Sequence, residues 1–237
     1  MSIRAVCFDL DGTLLDGSGY SSALGRTCEA IALRVPGLEP DELAKTNQKV
    51  WNGYWPAVEE QWTLGAIDGA TVSLEAWRRT FHACGLDDDE LSRFATASFT
   101  GNLTAAERLF EDATEVLNRI AGGFALALIT NGAPDTQREK LRHTAIDRYF
   151  DVVVISGEHA LAKPDPAIFR HALNNLDVAP QEALHVGDSL QADVAGALNA
   201  GLTAVWLNRG ARERDATHPT PQHEITSLRE LPQLLDG

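Results

Sequence analysis

Near the start of the chain, the run Val6-Cys7-Phe8-Asp9-Leu10-Asp11-Gly12-Thr13 carries an apolar segment straight into two carboxylates two positions apart. In an extended strand, positions i and i+2 face the same side, so Asp9 and Asp11 converge just beyond the strand end. Gly12 lets the backbone turn sharply there. Two carboxylates held close repel each other, and the site favours a cation or a shared proton. That pairing suits metal-assisted phosphoryl transfer. Taken alone, the same residues read as a strand followed by an Asp-Gly turn, so the motif needs partners from elsewhere in the chain.

The elements that must position these residues are legible as hydrophobic pattern. Five short apolar runs, at 3–8, 124–129, 152–155, 183–186 and 204–207, read as buried parallel strands. Helical patterns separate the last four. One begins after Asp165 as N-cap, with Pro166 in its first turn and Ile168, Phe169, Ala172, Leu173 and Leu176 as apolar positions. Another begins at Ser189, carries Leu190, Val194, Ala197 and Leu198, and stops at Gly201. This alternation predicts an α/β fold with a doubly wound parallel sheet and helices on both faces. The segment 224–235 reads as a short strand or turn and a final helix.

From about residue 20 to 100 the pattern is helical, with no convincing strand. Gly17-Ser18-Gly19 precedes this stretch and Phe99-Thr100-Gly101-Asn102 follows it, both reading as flexible crossings. The expected organisation is a catalytic core, 1–16 and 103–237, with an all-helical cap, 17–102, inserted after the first strand.

Each core strand ends in a polar cluster, where ligands bind in open α/β sheets. The first strand delivers Asp9 and Asp11, the second Thr130-Asn131-Gly132, and the fourth Gly187-Asp188-Ser189, with Asp193 a turn later. Ala162-Lys163-Pro164-Asp165-Pro166 follows the third strand and places a lysine at the start of the adjacent helix.

In this order the four clusters resemble the motifs of the haloacid dehalogenase-like superfamily of phosphohydrolases. The residues concerned are Asp9-Leu10-Asp11-Gly12-Thr13, Thr130-Asn131, Lys163-Pro164, and Gly187-Asp188 with Asp193. The insertion point and helical character of the cap are similar to that family's type 1 caps. Thr130-Asn131-Gly132 with Gln137 and Lys140, and Trp206-Leu207-Asn208, resemble the subgroup of N-acylneuraminate-9-phosphatases and pyrimidine nucleotidases more weakly. The resemblance implies that Asp9 is the nucleophile, forming an aspartyl-phosphate. It implies that Asp11 protonates the leaving oxygen and then activates water. Asp9, the Asp11 backbone carbonyl and Asp188 would ligate Mg²⁺. Thr130 and the Asn131 backbone amide would hold phosphate oxygens, Lys163 would offset negative charge, and Asp193 would orient Lys163 or a metal-bound water.

Every one of these residues also has a structural reading. Thr130, Asp188 and Ser189 could cap helices, Lys163 could be an exposed lysine, and Asp193 could favour the positive start of its helix. Their joint occurrence at successive strand ends favours the catalytic reading.

Composition bounds the rest. The chain has 237 residues, 44% of them hydrophobic, and a net charge of -14. It holds no bilayer-length apolar run, and the first strand begins too early to leave room for a signal peptide. The charge argues against nucleic-acid polymers as partners but leaves room for a small phosphorylated ligand met by local cations. Cys7, Cys28 and Cys84 have no metal-like spacing and read as reduced cysteines of a cytoplasmic protein, a monomer or homodimer.

Within the cap, Trp51, Tyr54, Trp55 and Val58, and Trp77 with Phe81, recur at helical spacing and read as cap core rather than substrate pocket. Trp62 fits either place, His82 reads as solvated or structural, and His185 reads as a core residue with a satisfied ring. The favoured function is a Mg²⁺-dependent phosphatase acting on a small phosphomonoester, a sugar phosphate or nucleotide, beneath a closing cap. The alternatives are a phosphomutase, a 2-haloacid dehalogenase or a non-catalytic binding protein on the same fold. The family's dehalogenases lack the second aspartate, which Asp11 supplies here, and a non-catalytic member should have lost an essential carboxylate.

Overall fold

The computed structural model describes residues 2–235. The ends of the expected core, residue 1 and residues 236–237, lie outside the described residues. Strand β1 (Ala5–Phe8) leads through a tight turn into β2 (Leu15–Asp16). Four helices follow: α1 (Tyr20–Ala32), α2 (Pro40–Thr63), α3 (Gly69–Ala83) and α4 (Asp89–Ala106). Strand β3 (Arg108–Leu109) then returns to pair antiparallel with β2. The rest alternates: α5 (Glu111–Ile120), β4 (Ala125–Thr130), α6 (Pro134–Thr144), β5 (Val152–Ile155), α7 (Ser156–His159), α8 (Pro166–Leu176) and β6 (Ala183–Gly187). It ends with α9 (Ala195–Ala200), β7 (Thr203–Leu207), β8 (His223–Ile225) and α10 (Leu231–Leu235).

Six strands form one parallel sheet in the order β5-β4-β1-β6-β7-β8. β1 is central, with Ala5 in register with Ala125 on one side and Ala183 on the other. Its side chains alternate between two cores, as a period of two requires. Val6 and Phe8 pack with Val116 and Leu117 of α5 and Leu141 of α6. Ala5 and Cys7 pack with Ile168 and Phe169 of α8 and Ala197 of α9. Both faces being covered explains why these strands read as unbroken apolar runs. The chain leaves β1 toward β4 and leaves β6 toward β7, so the crevice between β1 and β6 is the topological switch point.

Local signals set the helix ends. Asp68 and Asp88 accept hydrogen bonds from the backbone of Thr71 and Leu91 and cap α3 and α4. Asp165 accepts from the Ala167 N–H at the start of α8, and Gly201 closes α9 at φ 88°. The helix expected from Ser189 begins with a π turn at Leu190–Val194. Ser189 caps it by accepting from the Ala192 N–H.

Two expectations about the cap are corrected. Phe99–Asn102, expected as a flexible crossing, lies within α4, which runs unbroken to Ala106, so the 102/103 boundary falls inside a helix. The other crossing is a 3₁₀ turn, Gly17–Gly19, tied by Asp16 accepting from the Ser18 N–H. These connections touch: a Cβ on Gly19 would lie 2.7 Å from the Cβ of Ala106, so only glycine fits. The cap aromatics also divide. Trp77 and Phe81 are buried with Leu24, Ile31 and Leu43, as a cap core should be. Tyr54 and Val58 pack with Val72 and Ala76, while Trp51, Trp55 and Trp62 are only partly buried beside them. Among the described residues, no helix is long and apolar enough to cross a membrane.

Candidate active site

The carboxyl ends of β1 and β6 bring buried charges together. The Asp9 N–H donates to the Val186 carbonyl at 3.0 Å, which fixes its backbone on the neighbouring strand. Its side-chain Oδ1 accepts from Lys163 Nζ at 2.7 Å. Lys163 donates equally, at 2.7 Å, to Asp193 Oδ1. Asp193 is tied further by His185 Nε2 at 2.9 Å and by the Ser189 N–H at 3.0 Å on its other oxygen. Ligand atoms of Asp9, Asp188 and Asp193 lie within 4.8 Å of one another.

Electrostatics follow from burial. Desolvation pushes the Asp9 carboxyl up to about 7; Lys163 pulls it down, while Asp193 and Asp11 add repulsion. Burial also works against charge on Asp193, yet Lys163 and His185 hold its pKa well below the usual carboxylate range. Lys163 is held above its ordinary value by Asp193 and Asp9 despite burial. Asp188 is raised, by burial first and then by Asp193, with Arg212 opposing. Three carboxylates therefore face one ammonium, a deficit of positive charge that a cation would correct.

His185 departs from its expected satisfied ring. Burial lowers its pKa, so the neutral ring donates Nε2–H to Asp193, and Nδ1 is left buried without a partner. Strand β6 points this ring at Phe169, edge to face, which offers Nδ1 no donor.

A second cluster surrounds Asp11, whose side chain is half exposed. Lys140 Nζ on α6 contacts both carboxylate oxygens at 2.8 Å. Gln137 Nε2, one turn earlier, lies 3.1 Å from Asp11, 2.8 Å from Thr130 Oγ1 and 2.7 Å from the Asn131 carbonyl. Gln137 thus ties the end of β4 to the end of β1. The Asn131 side chain faces the loop before α8: its Nδ2 donates to the Lys163 carbonyl and its Oδ1 accepts from the Lys163 N–H, both at 2.9 Å. This cyclic pair sets the backbone from which Lys163 reaches Asp9.

Gly12 sits at φ 81°, and a Cβ there would lie 2.9 Å from the Asp188 carboxylate, so glycine is needed for both conformation and space. Trp206 Nε1 and Arg212 donate to the Asp188 carbonyl at 3.0 Å and 2.9 Å.

All seven residues singled out from the sequence, Asp9, Asp11, Thr130, Asn131, Lys163, Asp188 and Asp193, lie in this one crevice. Sequence reasoning named Gln137 and Lys140 only as part of the subgroup resemblance, without a role, and gave Arg212 none. The first two stand at i and i+3 on α6, a spacing that puts them on one helix face beside Asp11. Arg212 follows the last core strand in a polar loop and carried no signal.

Known proteins are similar to this chain over most of its length. The family model for haloacid dehalogenase-like hydrolases matches residues 3–201. N-acylneuraminate-9-phosphatase of Mus musculus is 31% identical, across 99% of this chain and 94% of its own length. Pyrimidine 5'-nucleotidase YjjG of Escherichia coli is 40% identical over 124 residues, 52% of this chain and 55% of its own. Among solved structures, the HAD-hydrolase YfnB of Bacillus subtilis, bound to magnesium, superimposes with a TM-score of 0.75 at 23% identity over the whole of both chains.

Proposed function

The chain belongs to the haloacid dehalogenase-like hydrolase family, and on that footing we propose that it is a Mg²⁺-dependent phosphatase of small phosphomonoesters working through an aspartyl-phosphate on Asp9. The observation that carries this reading is the Asp9–Lys163–Asp193 chain, two 2.7 Å contacts buried at the switch point of the sheet.

The residues fit a divalent cation. Gly12 leaves the space that the Asp188 carboxylate occupies. Asp193 is already committed on both oxygens to Lys163, His185 and Ser189, so Asp9 and Asp188, with the Asp11 carbonyl that the resemblance implies, would hold the metal. Bound there, Mg²⁺ would neutralise the charge of the phosphoryl group and of the carboxylates around it.

Lys163 holds Oδ1 of Asp9, so Oδ2 is the oxygen free to attack phosphorus. The Lys163 ammonium stabilises charge on both Asp9 and the incoming phosphoryl oxygens. A unit-charge pair at about 4 Å is worth roughly 4 kcal/mol at an effective dielectric of about 20. Asp193 positions Lys163. Thr130 and the Asn131 backbone amide would receive phosphoryl oxygens. Asp11 gives a proton to the departing oxygen, then takes one from the water that hydrolyses the acyl phosphate. Lys140 and Gln137 fix where that carboxyl sits. Three free cysteines, two of them buried, favour a reducing, cytoplasmic setting.

Phosphate release from nucleotides, sugar phosphates and acyl-sugar phosphates tests the reading, run with Mg²⁺, with chelator, and with Asp9→Asn. Release that requires Mg²⁺ and vanishes in the variant is the expected result. No release from any ester by folded, Mg²⁺-supplied protein would overturn it.

A further inference from the structure

A cavity of about 460 Å³ lies between the cap helices and α6, within the range of small-molecule sites. Its apolar wall is aromatic. Trp51 and Trp55 stack with centroids 5.1 Å apart and 17° between planes, and Trp62 meets Trp55 edge-on at 5.3 Å. All three line the cavity while remaining partly exposed. Lys140 lines it too, and the same ammonium grips Asp11, so the cavity opens beside the carboxyl that would protonate the leaving oxygen.

Charge in this cavity is one-sided. Lys140 is the only cation among the lining residues, and Asp11 already occupies it. Glu107 also lines the cavity, and its Oε2 is buried with no hydrogen-bond partner. A carboxylate entering here would lose hydration and meet no free cation. A donor N–H would instead satisfy Glu107, and a flat ring would stack on tryptophan.

Resting on the phosphatase reading, we propose that this cavity takes the leaving group, and that the group is an uncharged planar ring bearing a hydrogen-bond donor, the chemistry of a nucleoside. Sugar acids and amino acids, which carry a carboxylate, fit it poorly. The tryptophan wall, Trp51, Trp55 and Trp62 with buried Trp77, and the unpartnered Glu107 select for ring and donor; the absence of a free cation among the lining residues selects against negative charge.

Uridine 5'-monophosphate and orotidine 5'-monophosphate differ by one carboxylate on the ring and make a matched pair. With Mg²⁺, kcat/KM for the uridine ester should exceed that for the orotidine ester by about tenfold or more, an unpaired charge in a low-dielectric site being that costly. Thr100→Lys places an ammonium at an exposed lining position and should narrow the gap severalfold. Equal turnover of the pair, or faster turnover of N-acetylneuraminate 9-phosphate than of either, would overturn the assignment. Acetyl phosphate, which has no ring, separates the two readings: its hydrolysis without the ring preference sinks only the cavity assignment. Should no ester be cleaved at all, tryptophan fluorescence of the Asp9→Asn protein decides. Quenching by the uridine ester and not the orotidine ester supports the cavity assignment, and quenching by neither, or by both alike, refutes it.

Discussion

Lys140 grips both carboxylate oxygens of Asp11 at 2.8 Å, across 129 residues of sequence, and so joins helix α6 to the loop after β1. The lysine is largely buried while Asp11 is half exposed. The contact holds the Asp11 carboxyl against Lys140, which itself lines the cavity between the cap and α6. Lys140→Met keeps the aliphatic stem and removes the ammonium. It should lower kcat by about 10- to 100-fold, the size of effect expected when an acid–base group loses its orientation, with a smaller change in KM. Steady-state kinetics on any accepted ester check this, and an unchanged kcat would make the contact purely structural.

Lys163 lies buried between Asp9 and Asp193. Removing it leaves two buried carboxylates facing each other. Lys163→Met should cut kcat by about three orders of magnitude or more. Breaking a buried pair should also cost about 3–5 kcal/mol of stability. Thermal denaturation of the variant, with and without Mg²⁺, measures the second effect. Wild-type turnover would remove Lys163 from the mechanism.

Away from the chemistry, Asp112 clasps the end of the chain to the core. It accepts from Arg209 at 2.9 Å and 2.8 Å, from Ser227 Oγ at 2.7 Å and from the Leu228 N–H at 2.9 Å. Burial opposes its charge, but these donors, Arg209 foremost, hold its pKa below the ordinary carboxylate value. A depressed folded-state pKa gives stability that is complete above the unfolded-state value, about 3.9, and is lost as pH falls through the lower folded-state value. Asp112→Asn should therefore cost about 2–4 kcal/mol at pH 7. Its deficit against wild type should shrink only below about pH 4. Denaturant unfolding at pH 7 and pH 3 checks it; a constant deficit would mean the charge contributes nothing.

The parallel sheet was legible because its strands are buried on both faces and read as continuous apolar runs. So were the α8 and α9 ends, since Asp165 and Gly201 act locally. What escaped the sequence was set by contacts between distant segments. β2 and β3 are two residues each, too short to show any period. Phe99–Asn102 has the composition of a loop, yet α4 holds it helical because Phe99 packs against Tyr20 and Trp77 of the cap. Five of the seven site residues could be named because they stand at strand ends; Lys163, beyond α7, and Asp193, a turn past β6, were legible through the order of the motifs. Glu107 could not, because its place in the cavity depends on how the cap meets α6. Likewise, which cap tryptophans face the cavity depends on how α2 lies against α3, not on their spacing alone.

The central claim is that Asp9 carries the phosphoryl group. Turnover can be quenched in acid and the acyl phosphate reduced with borohydride, which converts a phosphorylated aspartate to homoserine, before peptide mass spectrometry. The account predicts homoserine at position 9 alone, only when substrate and Mg²⁺ are both present. Homoserine at another aspartate, or continued phosphate release by Asp9→Asn with none at position 9 in the wild type, would contradict it.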